Sequence, residues 1–175
     1  MNEGEVTPGI STQEYQSRRS RLAAALPAGS LALFPSAPLA YQSHDVPFPL
    51  HQDTDLSYLC GLLEPSSLLA VAKPHHGGEA EWTLFVRPAC AKEALWDGPR
   101  AGVDGAKKHF LPEGSTHALN DAPSVLHKQI FSASHGVRRL LYSATANPVR
   151  AWPMSERRAC RLLTPRLSAS ESSAP

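Results

Sequence analysis

Asp45, His51, Asp53 and Asp55 bring three carboxylates and one imidazole into a single short stretch. Those donor types suit Zn or Mn. A metal centre also needs ligands that converge from rigid elements, with outer groups to orient them. Here all four come from one Pro-rich segment with no helix to aim any pair of them, so helix-capping and turn roles for Asp53 and Asp55 are the favoured reading. His75-His76 is a second candidate. Adjacent side chains in extended backbone point to opposite sides, and Gly77-Gly78 follows, so the pair reads as an exposed turn. His109, His117, His127 and His135 show no metal spacing. The third candidate is Leu95-Trp96-Asp97-Gly98-Pro99-Arg100. Trp offers a large apolar face and Arg a planar fork for a carboxylate, which together would make a recognition surface. A core Trp beside a solvated Arg fits the same residues, and the two readings stand level.

Nucleophilic chemistry finds less support. Cys60, Cys90 and Cys160 are odd in number, far apart and without a C-x-x-C, so reduced thiols are expected. Tyr58-Leu59-Cys60-Gly61 is an apolar setting, which makes Cys60 a packing residue. No G-x-S-x-G, P-loop or strand-linked G-x-G-x-x-G occurs. The residues alone supply no complete catalytic set.

The elements that would position these groups can be read from local signals. Ser11-Thr12-Gln13-Glu14 is a capping-box pattern opening a helix from Thr12 to about Leu26, with Tyr15, Leu22 and Leu26 on one face. Pro27 and Gly29 end it. Ser30–Pro35 reads as a strand. Residues 37–55 form a long irregular segment, a type that is often functional, closed by a short helical turn over Asp53–Leu59. Ser67–Ala72 and Trp82–Val86 predict an antiparallel hairpin across the His-His-Gly-Gly turn. A short helix is expected over Ala89–Trp96, a turn over Gly102–Gly105, a helix from Asp121 and Pro123 with Val125, Leu126 and Ile130 on its apolar face, and a strand over Val137–Ala144. This alternation favours an α/β fold with a mixed sheet and packed helices. No internal repeat is visible.

The composition bounds the class. The chain has 175 residues, 42% of them hydrophobic and 19% charged, enough for one packed domain plus a tail. Sixteen prolines rule out a coiled coil. A net charge of +1 argues against a nucleic-acid binder, and no apolar run is long enough for a membrane span. Charge is unevenly placed. Residues 1–136 hold 10 basic and 14 acidic side chains, whereas 137–175 hold 7 and 2. The expected organisation is an extended N-terminal segment (1–10), a folded domain (11–147) and an Arg-rich, disordered tail (148–175).

Several segments together resemble a known family. They are Gly4-Glu5-Val6-Thr7-Pro8-Gly9-Ile10, then His51-Gln52-Asp53-Thr54-Asp55-Leu56-Ser57-Tyr58-Leu59-Cys60-Gly61, then Glu64-Pro65-Ser66-Ser67-Leu68-Leu69, then Leu84-Phe85-Val86, then Leu95 through Ala106. In this order and spacing they resemble the N-terminal domain of aminopeptidase P (Xaa-Pro aminopeptidase), nearest to the mitochondrial type of animals, over residues 4–145. The resemblance implies a creatinase-like α/β unit with a mixed sheet. It implies an enzyme that removes the N-terminal residue preceding a proline. Catalysis would lie in a second, "pita-bread" domain, whose two Asp, one His and two Glu hold two metal ions, usually manganese.

On that reading this chain carries no cofactor or metal ligand of its own and is inactive alone, as a truncated isoform or fragment. Asp45, Asp53, Asp55, Asp97, Asp104 and Asp121 contain no pair at the family's ligand spacing. Its partners would be the catalytic domain or a full-length homologue, a second copy, and proline-containing peptides; neither nucleic acid nor membrane is expected. Location would be mitochondrial or cytosolic, with no transit peptide visible ahead of Gly4. By resemblance Asp45 matches an acidic residue near the substrate pocket. Trp96 matches an aromatic bordering it, from a neighbouring subunit in some members, and Arg100 lies in the same motif. Leu50 and His51 replace an aromatic and an Arg found in some members. Two alternatives remain: a stand-alone peptide-binding module using the Pro-rich loop and Trp96, and a creatinase-type enzyme, against which Trp-Asp-Gly-Pro-Arg favours the peptidase side.

Overall fold

The computed structural model describes residues 4–131 and 136–142. The tail from 148, Cys160 and the last two residues of the expected final strand lie outside them. Strand β1 (Glu5–Thr7) turns through Pro8-Gly9 into β2 (Ile10–Ser11), so the N-terminal segment is a small antiparallel ribbon. Helix α1 spans Thr12–Ala25, and the Ser11 hydroxyl accepts from the Glu14 amide as the capping pattern predicts. Then follow β3 (Ser30–Pro35), α2 (Thr54–Cys60), β4 (Leu68–Lys73), β5 (Glu81–Val86) and α3 (Ala91–Asp97). The chain continues through α4 (Gly102–His109), β6 (Ser115–Ala118), a 3-10 turn at Leu119–Asp121, α5 (Ala122–Phe131) and β7 (Arg139–Tyr142).

Five strands make one mixed sheet in the order β6-β5-β4-β3-β7. The β4–β5 hairpin and the β3–β4 pair are antiparallel, and both edge strands run parallel to their neighbours. The central strand explains its own sequence. Leu69 and Val71 enter a core with Leu56, Leu62, Leu84, Val86 and Leu111, while Leu68, Ala70 and Ala72 enter a second core with Leu31, Phe85, Leu119 and Leu126. With both faces covered, β4 needs an unbroken apolar run rather than an alternating one.

Two expectations are corrected. Gly102–Gly105 is not a turn but the start of α4. Helix propensity speaks against two glycines there, but Ala106 is fully buried and Val103 packs on the same core, so tertiary packing prevails. Strand β6 was not expected, since Ser115-Thr116-His117-Ala118 is short and weakly apolar. It forms because it pairs with β5, Thr83 opposite Ser115 and Phe85 opposite His117.

Buried Arg19 is the least expected core residue. It sits one turn after Tyr15 on the inward face of α1, with 1% of its surface exposed. Its Nε donates to Glu113 at 2.5 Å and one terminal nitrogen donates to the Leu59 carbonyl at 2.7 Å. One guanidinium thus ties α1 to the end of α2 and to the turn before β6. Gly61 closes α2 in the left-handed conformation (φ 73°), and a Cβ there would stand 2.8 Å from the Tyr15 hydroxyl. Cys60 beside it is fully buried, and burial pushes its thiol up to about 11.

Arg19→Ala leaves the Leu59 carbonyl and Glu113 without their partner and should cost about 2–4 kcal/mol by urea unfolding. Arg19→Met, which keeps the packing volume, should cost less. A change within about 0.5 kcal/mol for Arg19→Ala would contradict this role. The two described thiols should also differ. At pH 8 iodoacetamide should label exposed Cys90 and spare Cys60 in the folded chain, read by peptide mass mapping. Because folding raises the Cys60 pKa, its stabilising share is whole below the ordinary value of about 9 and is lost as pH climbs towards about 11. Equal labelling of both thiols would contradict the buried assignment.

Candidate functional site

The Pro-rich segment between β3 and α2 is ordered by one side chain. The Gln52 amide oxygen accepts from the backbone N–H groups of Ala37 (2.8 Å) and Asp53 (2.9 Å). Its nitrogen donates to the carbonyls of Leu62 (3.1 Å) and Glu64 (2.9 Å). All four hydrogen-bonding positions of the amide are filled, and the partners fix which end is oxygen. The two ends of the 37–52 loop are thereby pinned together and to the α2–β4 connection.

Within the loop, Phe48 donates to the Ala40 carbonyl and Gln42 to the Val46 carbonyl, making a bend at whose tip Asp45 stands exposed. The Asp45 carboxylate accepts from the Ser43 hydroxyl at 3.2 Å. Tyr41, Val46 and Phe48 are each about half exposed. Asp53 does what its sequence position predicts: it caps α2, accepting from the Asp55 and Leu56 amides. Among the described residues no three His, Cys, Asp or Glu side chains gather where a metal could sit. His75 and His76 lie on the turn between β4 and β5, with their rings edge-on at 5.1 Å.

Trp96 is not a core residue. It is 90% exposed, and Leu95 beside it is 83% exposed. Helix α3 buries none of its residues. Arg100 holds it, with one terminal nitrogen on Glu93 and the other on Asp97 at 2.6 Å. Arg87, just past β5, reaches Glu93 as well, at 2.8 Å. The hydrogen bond from Arg100, followed by the charges of Arg100 and Arg87, holds the Glu93 carboxyl below the usual carboxylate range. The same hydrogen bond raises the Arg100 pKa further. Asp45 bonds inside its own loop and Arg100 bonds to α3, so the charged candidates are not bonded to each other.

A link between the two regions runs through the backbone. Gln52 holds the Glu64 carbonyl, and the Glu64 carboxylate accepts the Ala101 amide at 2.7 Å, at the head of α4. Ala101 itself offers no side-chain cap. Sequence reasoning quoted Gln52 and Glu64 without assigning them a role, because no local pattern says where a polar side chain from a loop will reach. It also missed an open groove of about 390 Å³ between α1 and α2, lined by Arg18, Arg21, Leu22, Phe34, Asp55 and Tyr58. Arg18 lies against the rings of both Tyr15 and Tyr58, at 5.0 and 4.5 Å from their centres. The Tyr and Arg residues within six positions on α1 (Tyr15, Arg18, Arg21) were the signal available.

Comparison with known proteins places this architecture. Residues 15–137 match the family described as "Aminopeptidase P, N-terminal domain". The mitochondrial intermediate cleaving peptidase 55 of Arabidopsis thaliana is 34% identical over 134 residues, covering 77% of this chain and 26% of the relative. The Xaa-Pro aminopeptidase 3 of Homo sapiens is 37% identical over 120 residues, covering 61% and 23%. Among solved structures, a low-pH form of aminopeptidase P from E. coli superposes with a TM-score of 0.72 at 27% identity, covering 87% of this chain and 32% of that one. The chain spans about a quarter of the length of the curated relatives it matches. The element order, the mixed sheet and the match over residues 15–137 agree, and the chain belongs to the aminopeptidase P N-terminal domain family.

Proposed function

We propose that this chain serves as the N-terminal, non-metal-binding domain of a manganese-dependent Xaa-Pro aminopeptidase, and that it acts by association rather than by chemistry of its own. The observation that supports the reading is that six of the ten exposed large apolar side chains among the described residues fall in three neighbouring segments, while Tyr58, Phe131, Leu141 and Tyr142 lie elsewhere. Tyr41, Val46 and Phe48 lie on the Asp45 loop, Leu63 in the α2–β4 connection, and Leu95 and Trp96 on α3. The Gln52 hydrogen bonds join the first two of these segments, and Glu64 reaches Ala101, a few residues past α3. Large apolar side chains held in the open on a stiff frame suit a surface that another domain or subunit covers.

The described residues do not fit a two-metal centre, because no three ligating side chains converge. In this reading the metals, and the water they activate, belong to the partnering domain. The chain's own residues shape the approach to that site. The Asp45 loop offers one carboxylate for a peptide's ammonium group, and the exposed Trp96 ring offers a flat wall suited to a proline ring. A second copy or a full-length homologue is the expected partner for the surface around Trp96. Mitochondrial location is part of the proposal. It rests on the similarity to the mitochondrial peptidase of Arabidopsis thaliana.

The pure chain, supplied with Mn²⁺ and a tripeptide with proline second, should release no N-terminal residue above the buffer rate, read by amine-specific fluorescence or mass spectrometry. Metal-dependent turnover that survives repurification and vanishes with chelator would overturn the proposal. Saturable binding of the same peptide without turnover, weakened by Trp96→Ala, would instead favour a stand-alone binding module.

A further inference from the structure

Helix α3 presents a physical problem. It is seven residues long, buries none of them, and has no side-chain cap at its start. A helix of that length does not persist in water by itself. Something other than packing must hold it.

The base of the segment is closed. Gly102 has φ 64°, and a Cβ on it would stand 2.9 Å from the Ala89 side chain and 3.1 Å from the Ala89 nitrogen. Residues 90–101 therefore leave and rejoin the body at one point, as a compact excursion with its ends together. Glu64 fastens that point by accepting the Ala101 amide. From the fastened end, the Arg100 side chain reaches back along the excursion. It is 11% exposed, while its partners Glu93 and Asp97 are 46% and 56% exposed. The anchored member of each pair is the arginine, and the carboxylates belong to the helix. The fork geometry of a guanidinium lets one side chain hold both.

We propose that Arg100 is a positioning residue. It holds α3 against the body through paired charge, with Glu64 fixing its base, and so sets where Leu95 and Trp96 stand. For function this rests on the reading that the Trp96 surface meets a partner or peptide; the clamp itself does not.

The test is limited proteolysis of the full 175-residue chain with a lysine-specific protease. Cleavage after Lys92, inside α3, is followed by mass spectrometry and normalised to a reference peptide in the same tube. Arg100→Gln should raise the Lys92 rate about fivefold or more, since cleavage needs local opening. The double change Glu93→Gln with Asp97→Asn should do the same from the helix side, and Arg100→Lys should recover only part of the protection. Added salt (about 0.5 M) should speed Lys92 cleavage more in the native chain than in Arg100→Gln, where only the Arg87–Glu93 pair is left to screen. Unchanged Lys92 rates in both variants would overturn the proposal. So would a rise that appears equally at Lys73 and Lys107, which would make Arg100 a general stability residue. If Lys92 behaves as expected while Trp96→Ala leaves partner association intact, the clamp stands and the functional reading of Trp96 falls.

Discussion

A single carboxamide, that of Gln52, is the constraint on which the end of this domain holding the Asp45 loop and α3 depends. A long irregular segment between two buried elements carries backbone groups that must find partners. Here two amides and two carbonyls find them in one side chain. The consequence extends past the loop. By fixing the 62–64 connection, Gln52 sets where the Glu64 carboxylate can reach. By accepting the Ala101 amide, Glu64 sets where α4 begins and where Arg100 starts. Arg100 in turn sets α3. Each step is an ordinary hydrogen bond or ion pair. Together they transmit the rigidity of the sheet to segments that have almost no packing of their own.

The domain thus combines two ways of holding structure. The sheet and its two cores are held by burial on both faces of β4, and their geometry follows from volume. The Asp45 loop and α3 are held by polar contacts at their bases, which leaves their apolar side chains free of the core. Tyr41, Phe48, Leu63, Leu95 and Trp96 gain nothing for this domain by facing water. In the proposed reading these side chains cover, and line the approach to, a neighbouring catalytic unit.

What could be read from the sequence follows the same division. Ser11 as a cap, the stop at Pro27, the strand Ser30–Pro35 and the hairpin across His75-His76 are written in local signals, and they stand where expected. Asp53 as a cap rather than a ligand was legible for the same reason. Arg19 was not. It occupies an inward position of α1 between Tyr15 and Leu22, but a charged residue is discounted as core unless its distant partners, Leu59 and Glu113, are known. Helix α4 and strand β6 were hidden because Gly102 and Ser115 are chosen for close approach and pairing, not for propensity. The exposed state of Trp96 was undecided in the sequence, since nothing in Leu-Trp-Asp says which side of a helix will find the core.

In the proposed reading this domain works by joining a catalytic unit through its exposed apolar segments. Size-exclusion chromatography with light scattering tests it most directly, using the chain with and without a separately expressed catalytic domain of the same family, and the Trp96→Ala variant alongside. The expected result is a stable mixed complex with the native chain that Trp96→Ala weakens while the variant stays folded. A native chain that elutes as a well-folded monomer and ignores the catalytic domain would contradict it.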